Sequence, residues 1–202
     1  MIHIKHVLAF VSVTGLASAL AGCAASGAEP EETLGQSAAA LGTEVCPAGV
    51  PATLAPAADQ TIKSTFTGVG VQIYVCNGVA WTLLGPQANL LNDEGKLVGT
   101  HFVGPTWQSN DGSSVVGAKK AAATVDPSAV PWLRLDAVSH SSEEGRFSDV
   151  TTVQRLGTVG GLAPADGCDA AHPGAIAQVP YTAQYVFYRT KDHGSVKQCN
   201  GS

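Results

Sequence analysis

The chain has 202 residues, of which 45% are hydrophobic and 13% are charged, with 11 Lys and Arg against 16 Asp and Glu. This length suits one domain with some additional chain. The low charge, 23 glycines and 11 prolines exclude a coiled coil or a long helical bundle, which needs an excess of charged helix formers. The net charge of −5 without a basic cluster argues against nucleic-acid partners, because phosphate neutralisation requires many basic side chains on one face.

Residues 1–22 have the features of a bacterial export signal. One cation, Lys5, precedes an apolar run from Val7 to Ala21, and small residues follow this run. The run has about 15 residues, fewer than the ~20 needed for a membrane span. We therefore predict a cleaved signal peptide.

The end of this segment, Leu20-Ala21-Gly22-Cys23, resembles the lipobox of bacterial lipoproteins. The resemblance implies that Cys23 carries lipid and anchors the protein in the membrane of the cell envelope. Ala24, not Asp, follows Cys23, and similarity to the sorting rule of enterobacterial lipoproteins then implies the outer membrane. Simple secretion after cleavage is the alternative.

Residues 23–44 are rich in Ala, Gly and Ser. Such a segment buries too little apolar surface to offset its ordering entropy. We interpret it as the lipid anchor followed by a flexible tether. The folded domain is then predicted to occupy residues 45–202.

Four cysteines lie in this domain, at positions 46, 76, 168 and 199. An even number in an oxidising compartment predicts two disulfides. A zinc site is disfavoured, because the closest two are thirty residues apart in sequence. Of the three connectivities, we favour Cys46–Cys199 with Cys76–Cys168, since the first pair joins the two ends of the domain and domain termini often lie close together.

The clearest local signal for secondary structure is at residues 71–84, where two β-rich runs flank Asn77-Gly78. This dipeptide predicts a two-residue hairpin turn that pairs Cys76 with Val79. Further β-rich runs are Leu97–Val103, Ser113–Val125, Pro131–Val138, Val150–Leu156 and Tyr181–Tyr188. About eight to ten short strands predict an all-β fold, either an antiparallel β-sandwich or a small β-barrel with long loops.

The sequence lacks the motifs of several enzyme classes. It has no GxSxG nucleophile elbow, no HExxH and no phosphate loop, and its glycine pairs lack the third glycine of a dinucleotide site. We therefore predict no cofactor. His172 near Asp169 and His193 beside Asp192 are the pairs that suit a metal, but carboxylates beside histidines are common in loops, so we predict no metal site.

The segment from His101 to Trp107 concentrates functional residue types around a rigid Gly-Pro step. A histidine and a tryptophan at a strand end suit the wall of a ligand cleft. The alternative is a core aromatic beside a hydrogen-bonded histidine.

Two further candidates lie on other predicted strands. Trp132 shares one face of its strand with Arg134 and Asp136, a combination that suits a polar ligand or simply a solvated surface. Arg155 interrupts an apolar strand. It is predicted either to pair with Asp136 or Asp169, or to bind an anionic ligand.

The order of motifs along the chain gives a further indication. GVQIYVC, GPQANL, GKLVGTHFVGPTW, DGSSVVG, VPWLRL, VTTVQR, TVGGLAP, GCDAAHPG and VPYTAQYVFY resemble an exported bacterial and fungal family, the domain of unknown function 3455, over about residues 51–188. The resemblance implies no activity and no catalytic residue. The resemblance also supports the Cys76–Cys168 pairing, because members of the family often share the cysteines that match these two.

Three hypotheses for function follow. The leading one is a lipid-anchored cell-envelope protein that binds a small molecule, a glycan or an envelope partner. The second is an enzyme of unrecognised type, a hydrolase or isomerase, that uses His101 with Asp111 or Asp169. The third is a structural surface domain. The first two predict that four side chains converge on one cleft, namely those of His101, Trp107, Trp132 and Arg155.

Overall fold

The computed structural model describes residues 47–191. This part of the chain forms a 3₁₀ turn at Ala52–Leu54 and then eight strands. The strands are β1 Gln60–Cys76, β2 Trp81–Leu91, β3 Leu97–Phe102, β4 Thr106–Ser109, β5 Ser114–Ala123, β6 Trp132–His140, β7 Thr152–Gly160 and β8 Ile176–Thr190. No helix within these residues is long and apolar enough to cross a membrane.

The eight strands form one sheet that closes on itself. Each strand pairs antiparallel with the next one in sequence, and β8 pairs back with β1. Closure pairs the backbone groups that an open sheet would expose at its two edges. The prediction of an all-β fold is therefore confirmed, and of the two predicted architectures the structure has the barrel.

The predicted register of the first hairpin is wrong by two residues. Cys76 pairs with Trp81 and not with Val79, so the loop between β1 and β2 has four residues. The Asn77 side chain explains the longer loop, because its Oδ1 accepts hydrogen bonds from the backbone N–H groups of Val79 and Ala80 at 2.9 Å each. A shift of two residues keeps the same side chains on each face of the sheet.

Aromatic side chains fill one part of the barrel interior. Phe66 on β1, Phe187 on β8 and Phe147 from the β6–β7 loop meet with ring centroids 4.6 to 6.3 Å apart. Trp107 and Tyr185 belong to the same buried cluster. Gly68 makes room for this packing, since a Cβ there would lie 2.5 Å from the Tyr185 ring.

A smaller apolar cluster lies on the other face of β7 and β8. Leu54 of the 3₁₀ turn packs there with Leu156, Val186 and Tyr188. The buried Gln154 side chain holds the turn in place, because its amide donates a 2.6 Å hydrogen bond to the carbonyl of Leu54 and accepts one from the Tyr188 hydroxyl. The segment before β1 therefore covers part of the outer surface.

One disulfide ties the β7–β8 loop to the end of β1. It joins Cys76 to Cys168, which confirms that predicted pair. The Trp81 indole N–H also donates to the Asp166 carbonyl at 3.0 Å, so two elements of the same hairpin hold the loop. The predicted Cys46–Cys199 pair lies outside the described residues, as do the signal peptide and the tether.

Candidate functional site

His101 and Trp107 lie opposite each other on paired strands. The register of β3 and β4 pairs the two residues directly, and their rings stack with centroids 4.4 Å apart and an interplanar angle of 4°. The turn between the strands includes Gly104, whose φ of 96° is a conformation that favours glycine. The turn at Gly104-Pro105 therefore brings the two rings together.

His101 is a neutral side chain at ordinary pH. Its pKa is lowered to about 3, chiefly by burial and to a smaller extent by the charge of Arg155, against the opposing effect of a hydrogen bond to Thr106. The Thr106 carbonyl lies 2.8 Å from Nδ1 and can only accept, so Nδ1 carries the proton and Nε2 does not. A histidine with this pKa is a weak base.

The stacked pair forms part of the lining of a cavity of about 200 Å³ on the inner face of the barrel. The described residues that line it are Gln72, Leu83, Leu84, Gly85, Pro86, His101, Gly104, Pro105, Trp107, Lys119, Leu133, Leu135, Arg155 and Tyr185. Most are apolar, two are cations, and none of those described is a carboxylate. The cavity is therefore apolar and positively charged.

Arg155 enters this cavity from β7. Its Nε and one terminal nitrogen donate to the Pro131 carbonyl at 3.2 and 2.8 Å. Neither carboxylate predicted as its partner takes that role, because Asp136 is near Arg134, with Arg134 Nε and Asp136 Oδ1 3.7 Å apart, and Asp169 bonds His172. Within residues 47–191 no carboxylate forms an ion pair with Arg155.

Two hydroxyl groups lie close to the same guanidinium. The side chains of Tyr181 and Tyr185 are buried, and their oxygens are 3.1 Å apart. Burial raises the pKa of Tyr185 well above its ordinary value, and the charge of Arg155 opposes part of this increase. Tyr185 is therefore a protonated hydroxyl that can donate or accept a hydrogen bond.

Two buried polar atoms of the lining residues lack a hydrogen-bond partner among the described residues. They are Trp107 Nε1 and Gln72 Nε2, on side chains that are each 1% exposed. A buried donor without an acceptor costs about 1–3 kcal/mol. The indole N–H can only donate, so this site lacks an acceptor.

Trp132 does not belong to this group, so the predicted convergence of four residues is wrong for one of them. Its strand β6 directs Leu133 and Leu135 into the cavity, and Trp132 instead packs beside Leu54 in the outer cluster. Arg134, on the same outer face, donates to the Ala55 carbonyl at 2.8 Å. The segment before β1 thus covers the face of β6 that carries Trp132 and Arg134, which the sequence analysis considered as a binding surface for a polar ligand.

The structure does not join His101 to either predicted aspartate. Asp111 accepts hydrogen bonds from Ser113 and from the Arg146 backbone N–H, and these bonds lower its pKa to about 2. Asp169 bonds His172 near the disulfide. No group of three or more potential metal ligands is present within residues 47–191.

Sequence reasoning missed Tyr185, Lys119 and Gln72 as parts of the site. Tyr185 was available from alternation, because Tyr181, Ala183, Tyr185 and Phe187 all face the interior. Gln72 on β1 and Lys119 on β5 line the same cavity only because the sheet closes into a barrel. No local sequence pattern predicts that closure.

The low pKa of His101 predicts a stability that depends on pH. The folded state binds this proton only near pH 3, whereas the unfolded chain binds it near 6.5. Stability from this group is therefore complete above pH 6.5 and falls on acidification by up to about 1.4 kcal/mol per pH unit. Urea unfolding of the wild type and of His101→Gln between pH 4.5 and 6.5 measures the difference in slope. Parallel curves would contradict the assignment.

Residues 47–191 thus form a closed antiparallel barrel of eight strands, with a small cavity lined by hydrogen-bond donors and apolar side chains. A family model described as "Protein of unknown function (DUF3455)" matches residues 56–189, and the chain belongs to this family. Neither the curated proteins nor the solved structures contain a match to the chain.

Proposed function

We propose that the protein binds a small organic molecule inside its barrel. The main support is Trp107. Its buried indole N–H lacks an acceptor among the described residues, and its side chain lines a cavity of about 200 Å³. Eight-stranded barrels have interiors that are either filled by side chains or hold one small ligand. A protein cavity of about 150 Å³ holds benzene, so the space here suits a ligand near that size.

Binding is favoured over acid–base catalysis by the chemistry of the lining. General acids and bases work best with a pKa near the operating pH, and the pKa of His101 is about 3. The residues described around the cavity include no carboxylate that would raise it. The polar groups therefore serve to fix the orientation of a ligand.

A screen of small molecules tests the binding function. The compounds are anionic, neutral and cationic, and none is larger than a substituted benzene. A ligand at about 100 times its Kd stabilises by about 2.7 kcal/mol, which raises the Tm of the purified full chain by about 5 °C or more.

Two matched variants locate the binding. Trp107→Phe keeps an aromatic ring and removes the indole N–H, so we expect about tenfold weaker binding. Trp132→Phe removes the same group on the outer face and should leave affinity unchanged. The proposal fails if no compound of any charge class stabilises the wild type, or if both variants weaken binding equally.

The proposed setting is the cell envelope, with the barrel tethered through lipid on Cys23. The support is the tetrapeptide Leu20-Ala21-Gly22-Cys23 and the Ala-, Gly- and Ser-rich segment that follows it. Several acyl chains exceed the single chain that gives only marginal membrane binding.

Fractionation of the producing cells tests the anchor. The wild type should enter the membrane fraction and yield an N-terminal peptide with the mass of acylated Cys23. Cys23→Ala should shift the protein to the soluble fraction. An unmodified N-terminus, or a Cys23→Ala protein that remains in the membrane, would contradict the anchor.

A further inference from the structure

We propose that the molecule held in the barrel is a small organic carboxylate, with its anionic group toward Arg155 and its apolar part against the leucines of the lining. This inference rests on the binding function proposed above and adds the chemical class of the ligand. Three features of the cavity lining support it: its charge, its hydrogen-bond donors and the apolar surface of its remaining residues.

The charge of the lining favours an anion. Arg155 and the exposed Lys119 line the cavity together with no described carboxylate, and no ion pair within residues 47–191 includes Arg155. The Pro131 carbonyl offers the guanidinium a dipole but no countercharge. Charges interact more strongly at such partly buried positions than in water, so a ligand that brings one negative charge gains most here.

The donors of the lining fit the two oxygens of a carboxylate. An arginine carries five N–H donors in a planar fork. In Arg155, Nε and one terminal nitrogen bond to the Pro131 carbonyl and the Tyr185 side chain takes a further hydrogen bond, which leaves N–H donors for a ligand. Trp107 Nε1 lacks an acceptor, and an ionised carboxylate consists of acceptors alone. A cationic ligand would meet two like charges and a donor that it cannot satisfy.

The remainder of the wall is apolar. Leu133 and Leu135 of β6 line one side, and Leu83, Leu84 and Pro86 of β2 line another. A ligand that were only an inorganic anion would leave this surface without a partner. A carboxylate on a ring or a short branched chain fills both parts of the cavity.

Three probes of nearly equal size test the charge preference: benzoate, benzamide and benzylammonium. Binding is measured by isothermal titration calorimetry on the purified full chain. We expect benzoate to bind at least about ten times more tightly than benzamide, because charge-assisted hydrogen bonds are about twice as strong as neutral ones. Benzylammonium should bind weakest of the three.

Matched arginine variants assign the preference to Arg155. Arg155→Met should remove the advantage of benzoate over benzamide, whereas Arg134→Met alters the outer face and should retain it. Arg155→Lys keeps the charge, loses the fork, and should retain part of the advantage even if Arg155→Met fails to fold. Circular dichroism verifies the fold of each variant.

The outcomes separate this inference from the binding function. Equal affinity for benzoate and benzamide in the wild type, a preference that survives in a folded Arg155→Met, or a preference that is lost in Arg134→Met would overturn the carboxylate and leave the binding function standing. Failure of all three probes would also overturn the carboxylate, while the wider screen of neutral and cationic compounds decides the binding function independently.

Discussion

Replacing Cys76 and Cys168 together by alanine is expected to lower the free energy of unfolding by about 4 kcal/mol. The bond spans 92 residues of sequence, and cross-links of this length restrict the unfolded chain most strongly in the loop-entropy account. The Cys76 side chain is 1% exposed, so alanine leaves no buried hydroxyl there, as serine would. Equilibrium unfolding in guanidinium chloride measures the change.

Substitution isolates this bond better than reduction does, because a reductant acts on every disulfide of a chain. Cys168→Ala alone should have nearly the same effect as the double replacement, since either one removes the cross-link. The β1–β8 pairing closes the barrel independently of the bond, so the variants should still fold at low temperature. A loss below about 1 kcal/mol would contradict a disulfide in the native protein.

Trp107→Ala is expected to destabilise the barrel by about 3–5 kcal/mol, the usual cost of truncating a fully buried large aromatic. Its ring stacks on His101 and makes edge contacts with Tyr185 and Phe187 at 5.6 and 6.0 Å. Thermal unfolding should show a Tm lower by about 10 °C.

Trp132→Ala supplies the control for this prediction. Trp132 is partly buried in the outer cluster, so its truncation removes less buried area and should cost less than half as much. Trp107→Phe should be intermediate, because it preserves an aromatic ring in the core. Equal losses for Trp107→Ala and Trp132→Ala would contradict the placement of Trp107 at the centre of the interior.

Local sequence patterns account for the strand class and for several strands. The alternation in residues 71–76 and 181–188 predicts strands that the structure contains, and Asn77-Gly78 correctly predicts a hairpin. The sequence pattern predicts β1 only from residue 71, although the strand begins at Gln60, and the reason is physical. Glycines at positions 68 and 70 face the interior so that Tyr185 and Ala88 can approach, and a strand with glycines on its buried face shows no apolar alternation.

The site could be predicted only in part. His101 and Trp107 are neighbours in sequence across one turn, so a local pattern was enough to pair them. Arg155 was recognisable as a cation within an apolar strand. The face that Trp132 shares with Arg134 is predicted correctly, but its place in the cleft is wrong, because the packing of Leu54 over that outer face joins residues nearly eighty positions apart in sequence. Such contacts depend on the closed barrel, so no local sequence pattern predicts them.

The central claim is that a small organic carboxylate enters the barrel beside Trp107. The most direct measurement is the ¹H–¹⁵N NMR spectrum of the three tryptophan indoles during a titration with benzoate, with each signal assigned by Trp→Phe replacement. We predict that the Trp107 N–H signal moves downfield as its proton gains an acceptor, while the signals of Trp81 and Trp132 stay in place. A Trp107 signal that does not move at saturating benzoate, or equal movement of all three signals, would contradict the claim.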